Sequence, residues 1–150
     1  MSNQVSTIGV MNGRKSVVFR YCNPHPQGKI VGDCVKRAIT IASGKDYNEV
    51  KRELNRFKKR YNASVFNDWR KNVEPYIKEE LNGVKMSFPA VKGQKRMSGY
   101  KFCSEYPRGT YILQMANHIV CCKDGCLYDT WDCGDKCVYT AYKINLWGRY

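Results

Sequence analysis

The periodicity of the chain changes near Pro107, and this change limits it to a fold in which helices come first and a sheet follows. Before that point apolar residues recur at steps of three and four. Val35, Ala38 and Ala42 mark one helix, ended by Gly44, and Tyr47, Val50, Leu54, Phe57 and Tyr61 mark the next. Asp46 followed by Glu49 reads as a capping box for this second helix. A third helical stretch is predicted from about Ser64 to Leu81, carrying Phe66, Trp69, Val73, Tyr76 and Ile77, with Pro75 kinking it or starting a new helix. Residues 16–22 and Val84 to Phe88 are expected as strands. VKGQKRMSG reads as a basic surface loop, with a short helical piece after it as far as Tyr106.

From Thr110 the period becomes two. TYILQM, HIVCCK, CLYDTW and CVYTAYKI are strand-like, and Ala-Asn, Asp-Gly and Cys-Gly-Asp turns divide them. The expected architecture is therefore α+β, N-terminal helices packed on a C-terminal antiparallel β-sheet, within one domain over residues 1–150. At 43% hydrophobic and 13% aromatic the chain has enough apolar surface to build that core, which excludes a disordered tail.

Charge and cysteine content narrow the chemistry. Lys and Arg number 26 against 13 Asp and Glu, a formal +13 that would draw polyanions or acidic partners. Nucleic acid is one such partner, with Tyr and Trp to stack on bases. Yet the charges are spread from Arg14 to Arg149 with no DNA- or RNA-binding signature, so a solvated basic surface or an acidic protein partner is favoured. The N-terminus lacks a signal-like apolar run and no segment is long enough to cross a membrane, so a cytosolic protein without membrane contact is expected. In a reducing cytosol the eight cysteines should be thiols, a Cys122–Cys126 cross-strand bond being conceivable only under oxidation.

Two residues at opposite ends of the chain could work together. Cys34, at the start of a helix, is placed where aligned backbone N–H groups favour a thiolate. A nucleophilic thiolate needs an imidazole to manage its proton. Only His25 and His118 could supply one, and His25, between two prolines, reads as a surface residue. His118 lies on a strand. If Asp124-Gly125 is a two-residue turn, His118, Val120, Asp129 and Trp131 share one face, and Asp129 comes within reach of the imidazole. A three-residue turn would flip the parity and put Asp132 there instead. Asp-Gly is the stronger signal for the tight turn, so Asp129 is preferred and Asp132 is the alternative. No metal and no cofactor are expected: Cys121, Cys122, Cys126, Cys133 and Cys137 form no CxxC pair, and Cys121 and Cys122 point to opposite faces of their strand.

GDCVKRAI, GTYILQMANHIV and DGCLYDTWD resemble the Cys, His and Asp segments of the papain-like cysteine peptidase superfamily, especially its peptidase C39-like branch. Over residues 20–142 the chain is most similar to short proteins encoded by phages and prophages, which share the Asn-Pro loop before GDC and a GDKCVY-like ending. The resemblance implies a papain-like fold with Cys34 as nucleophile, His118 as general base and Asp129 as orienting carboxylate. It also implies an amide donor to the oxyanion before the cysteine, a place that Gln27 or Asn23 could fill. The activity implied is a cysteine hydrolase, a peptidase or an amidase or isopeptidase, acting on a protein or peptide-like substrate in a host cytoplasm or from a phage particle. The other reading is a catalytically silent protein of the same fold that engages a host factor or a polyanion through its basic surface.

Overall fold

The computed structural model describes residues 6–11, 14–63, 65 and 67–145. The chain opens with a hairpin, β1 (Ser6–Met11) and β2 (Arg14–Tyr21), then forms α1 (Cys34–Ser43) and α2 (Tyr47–Arg60). A π-helical turn, Trp69–Val73, runs into α3 (Glu74–Glu79), and β3 (Val84–Ser87) and α4 (Gly99–Glu105) follow. The last four strands are β4 (Thr110–Met115), β5 (His118–Lys123), β6 (Cys126–Asp129) and β7 (Thr140–Ile144). All seven strands join one sheet in the order β1-β2-β6-β5-β4-β7-β3.

Two expectations about the sheet need correction. The helices do not come first: the strand expected at residues 16–22 is β2, and a further strand, β1, pairs with it ahead of the helices. Nor is the sheet wholly antiparallel: β2 lies parallel to β6, with Phe19 beside Leu127 and Tyr21 beside Asp129. A parallel pair needs a long crossover, and here the helices and strands between residues 21 and 126 provide it. The class remains α+β.

Local chemistry sets the helix ends. The Asp46 carboxylate accepts from the backbone N–H of Asn48 and Glu49 at 3.0 and 3.3 Å and starts α2. Gly44, with φ of 74°, closes α1 by donating to the Thr40 carbonyl, a left-handed conformation that costs glycine little. Helical backbone expected from about Ser64 begins only at Trp69, because Asp68 is extended and its side chain accepts from Lys71 N–H. Ser64 and Phe66 lie outside the described residues. Pro75 sits in the first turn of α3, where its missing N–H is harmless.

Both faces of the sheet are covered. On one face α1, α2 and α3 bury Ile39, Val50, Leu54 and Ile77 against Ile112, Ile119, Cys121 and Tyr142. On the other, Phe102 and Cys103 of α4 pack on Leu113, Val120, Cys122 and Leu127. Successive residues of β5 from Ile119 to Cys122 therefore enter alternate cores, and this is why IVCC is apolar throughout instead of alternating. Burying side chains of this size contributes about 1.5–3 kcal/mol each. Among the described residues no helix is long and apolar enough to cross a membrane.

Candidate active site

The site lies where α1 begins, β5 begins and β6 ends. Asp124 and Gly125 have φ of 49° and 74°, a tight turn with both residues left-handed, and it sets Lys123 opposite Cys126 and Cys121 opposite Tyr128. With side chains alternating along both strands, His118 and Asp129 fall on the same side. Nε2 of His118 lies 2.5 Å from Oδ2 of Asp129, and the two side chains are buried, at 8% and 2% exposure. Asp132 turns elsewhere, accepting from the Tyr100 hydroxyl and from Gly134 N–H.

Cys34 is the first residue of α1 and lines one cleft together with His118 and Ile119 of β5. Since Nε2 is committed to Asp129, Nδ1 is the ring nitrogen left to face the sulfur. Burial alone would push the Cys34 thiol up. The hydrogen bonds from His118 and Ile119 and the positive charges of His118 and Arg37 outweigh it, and hold the pKa below the ordinary thiol value. His118 moves the opposite way: burial lowers it, but its bonds to Asp129, Cys133 and Cys34 push it up to about 11. Burial would raise the Asp129 carboxyl, yet His118, Thr130 N–H and Arg37 hold it below the usual carboxylate range. The shifts favour the anionic form of Cys34, the cationic form of His118 and the anionic form of Asp129.

A cleft of about 380 Å³ opens beside the sulfur, with Cys34, Trp69, Gln114, Met115, Asn117 and His118 in its wall. The indole of Trp131, 45% exposed, lies over the His118 ring at 4.8 Å between centroids. Neither residue suggested for the oxyanion lines this cleft. Asn23 spends its carboxamide on its own loop, accepting from His25 N–H at 3.1 Å and donating to the Lys29 carbonyl at 3.0 Å, and Gln27 is exposed. His25 itself packs against the Tyr47 ring and accepts from Gln27 N–H. The backbone N–H of Cys34 is a donor already at the site, since the Asp33 carboxylate makes no capping bond to the first turn of α1.

The Asp33 carboxylate goes to Arg37 and to the Tyr47 hydroxyl, the latter at 2.8 Å. Arg37, 5% exposed, also donates to the Val31 carbonyl at 3.2 Å and to Oδ1 of Asp129 at 3.0 Å. The buried Cys133 thiol donates to Oδ2 of Asp129 at 3.5 Å. Arg37, Cys133 and Trp69 were not among the residues that the sequence singled out for the site. Arg37 left a trace, a lone arginine in a helix of small apolar residues, four positions after an aspartate. Trp69 and Cys133 left none, because only the tertiary fold brings them here.

His118, Asp129 and Cys133 offer nitrogen, oxygen and sulfur atoms within 4.8 Å of one another, a set that could ligate an ion. The spacing argues for a proton instead. Two atoms bound to one tetrahedral zinc stand about 3.3 Å apart, whereas Nε2 and Oδ2 are at 2.5 Å, a hydrogen-bond length. Comparison with protein-family models, with curated proteins and with solved structures gave no match for this chain.

Proposed function

We propose that the protein is a cysteine hydrolase of papain-like fold, cleaving an amide, isopeptide or thioester bond of a protein or peptide-like substrate through an acyl-enzyme on Cys34. The observation that carries the reading is His118, bonded to buried Asp129 and lining the same open cleft as Cys34 at the start of α1. The Cys34 thiolate attacks the substrate carbonyl carbon, and the carbonyl oxygen becomes an oxyanion that takes a hydrogen bond from Cys34 N–H. As the bond to the leaving group breaks, protonated His118 gives its Nδ1 proton to the departing amine or thiolate. The acyl group then stays on sulfur as a thioester. Water attacks it, His118 takes the proton from that water, and the Cys34 thiolate leaves. Asp129 keeps the ring oriented throughout and retains its own negative charge.

The test is competitive labelling. The folded protein is treated with limiting iodoacetamide at neutral pH and each cysteine is quantified by mass spectrometry. Cys34 is expected to be modified first. Modification at the rate of half-buried Cys22 or Cys137 would remove the basis for the proposal.

A further inference from the structure

The role of Arg37 is not explained by packing. A guanidinium is costly to bury, and apart from Thr40 the other buried residues of α1 are apolar: Val35, Ala38, Ile39 and Ala42. Its Nε has no partner among the described residues, while both terminal nitrogens are occupied. Those nitrogens join two carboxylates that are 2% exposed and come from opposite sides of the site: Asp33, directly before the nucleophile, and Asp129, which holds the base. The contact to Asp129 spans 92 residues of sequence.

We propose that Arg37 is a positioning residue whose charge, shared between Asp33 and Asp129, keeps the Cys34 sulfur anionic and clamps the nucleophile helix to the strand that carries the orienting carboxylate. The inference rests on the reading of Cys34 as the nucleophile and deepens it. The groups that act on the sulfur are His118 and the Ile119 N–H from β5 and, by its charge, Arg37 of α1; Asp33 and Asp129 pair with Arg37, and Cys133 donates to Asp129. Tyr47 of α2 and Cys22 after β2 stand behind the two carboxylates. With Cys34 as thiolate and His118 protonated, the core of this cluster sets three negative groups against two positive ones. Removing Arg37 leaves a single cation against three anions. In a site with little water the least firmly held anion then takes up a proton, and that is the thiolate.

A purely structural staple and a charge clamp predict different outcomes. The readout is the pH at which Cys34 labelling by iodoacetamide reaches half its alkaline plateau, recorded together with the thermal midpoint. Arg37→Gln keeps a donor but loses the charge: the half-point should rise by about one pH unit, so labelling below it slows about tenfold, while the plateau is unchanged. Arg37→Lys keeps the charge without the planar fork and should recover most of that shift. Asp33→Asn removes a negative charge and should move the half-point down.

If Arg37 only ties elements together, Arg37→Gln will lower the thermal midpoint and slow labelling equally at every pH, with the half-point unmoved. That result overturns the inference. Should Arg37→Gln fail to fold, Asp33→Asn decides, and a half-point that stays put or rises is fatal. An unmodified chain whose Cys34 reacts no faster than its other thiols sinks both readings together. A fast Cys34 whose half-point ignores Arg37 and Asp33 sinks this one alone.

Discussion

Strand β5 serves two sites in which cysteine behaves in opposite ways. At its start His118 meets Cys34 beside an open cleft. Four residues on, Cys122 meets Cys103 of α4 in the interior, sulfur to sulfur at 3.7 Å, with neither side chain exposed. Burial raises the pKa in both places. Cys122 has another thiol for a partner, and its pKa is driven well above the ordinary value by that contact and by burial. Cys34 has an imidazolium, a backbone N–H and a distant guanidinium, and goes down. The lesson is that burial does not make a cysteine inert. The charge of its partner decides, and one strand can present both outcomes a turn apart.

The sharpest way to break the contrast is to take away the imidazole. In His118→Ala, Cys34 loses its first hydrogen bond and its nearest positive charge, so labelling at pH 6 should slow by roughly a hundredfold or more, toward the rate of a plain thiol. Stopped-flow or quenched labelling measures this, and a rate within threefold of the unmodified protein would show that His118 does not activate the sulfur.

The pH dependence gives the next largest effect. A group whose pKa lies below the ordinary thiol value keeps more of its thiolate as the pH falls, so Cys34 labelling should drop less steeply between pH 8 and pH 6 than that of an ordinary thiol. A small free thiol in the same tube should drop by tens of fold over that range. A Cys34 profile parallel to that reference contradicts the thiolate–imidazolium pair.

Asp129→Asn probes one link further out. The ring loses its anionic partner and Arg37 is left with one carboxylate, so labelling near neutral pH should slow about tenfold, less than for His118→Ala. If the two variants slow labelling equally, Asp129 does more than orient. The smallest change belongs to the other end of the strand. Cys103→Ala removes a buried sulfur from a packed interior and should cost about 1–2 kcal/mol in urea unfolding, with Cys34 labelling unaltered. A change in that labelling would mean that the two ends of β5 are coupled.

The parts of this arrangement that were legible in the sequence are the ones set by short-range rules. Asp124-Gly125 is a turn signal with one favoured geometry, and it fixes the parity of the hairpin that carries His118 and Asp129. Asp46 caps α2 because the orphan N–H groups lie two and three residues ahead of it. What was not legible depends on pairings across the chain. Nothing in the period of RKSVVFRY says that it will join β6 in parallel, because strand pairing is decided by which surfaces remain to be covered once the helices have packed. The Arg37 bridge was hidden for the same reason, and so was the opening between Trp69 and Gln114. A reading by spacing finds the residues that do chemistry more readily than those that make the chemistry favourable.

The parallel seam between β2 and β6 has a consequence for how the molecule is born. A ribosome releases α1 with its thiol long before it has made the hairpin that carries the imidazole and the carboxylate, and β2, already paired with β1, gains its second neighbour only when that hairpin arrives. During synthesis, then, the emerging polypeptide carries an ordinary, unactivated cysteine. On the proposed reading, its reactivity rises only once β5 and β6 have closed the sheet beside α1.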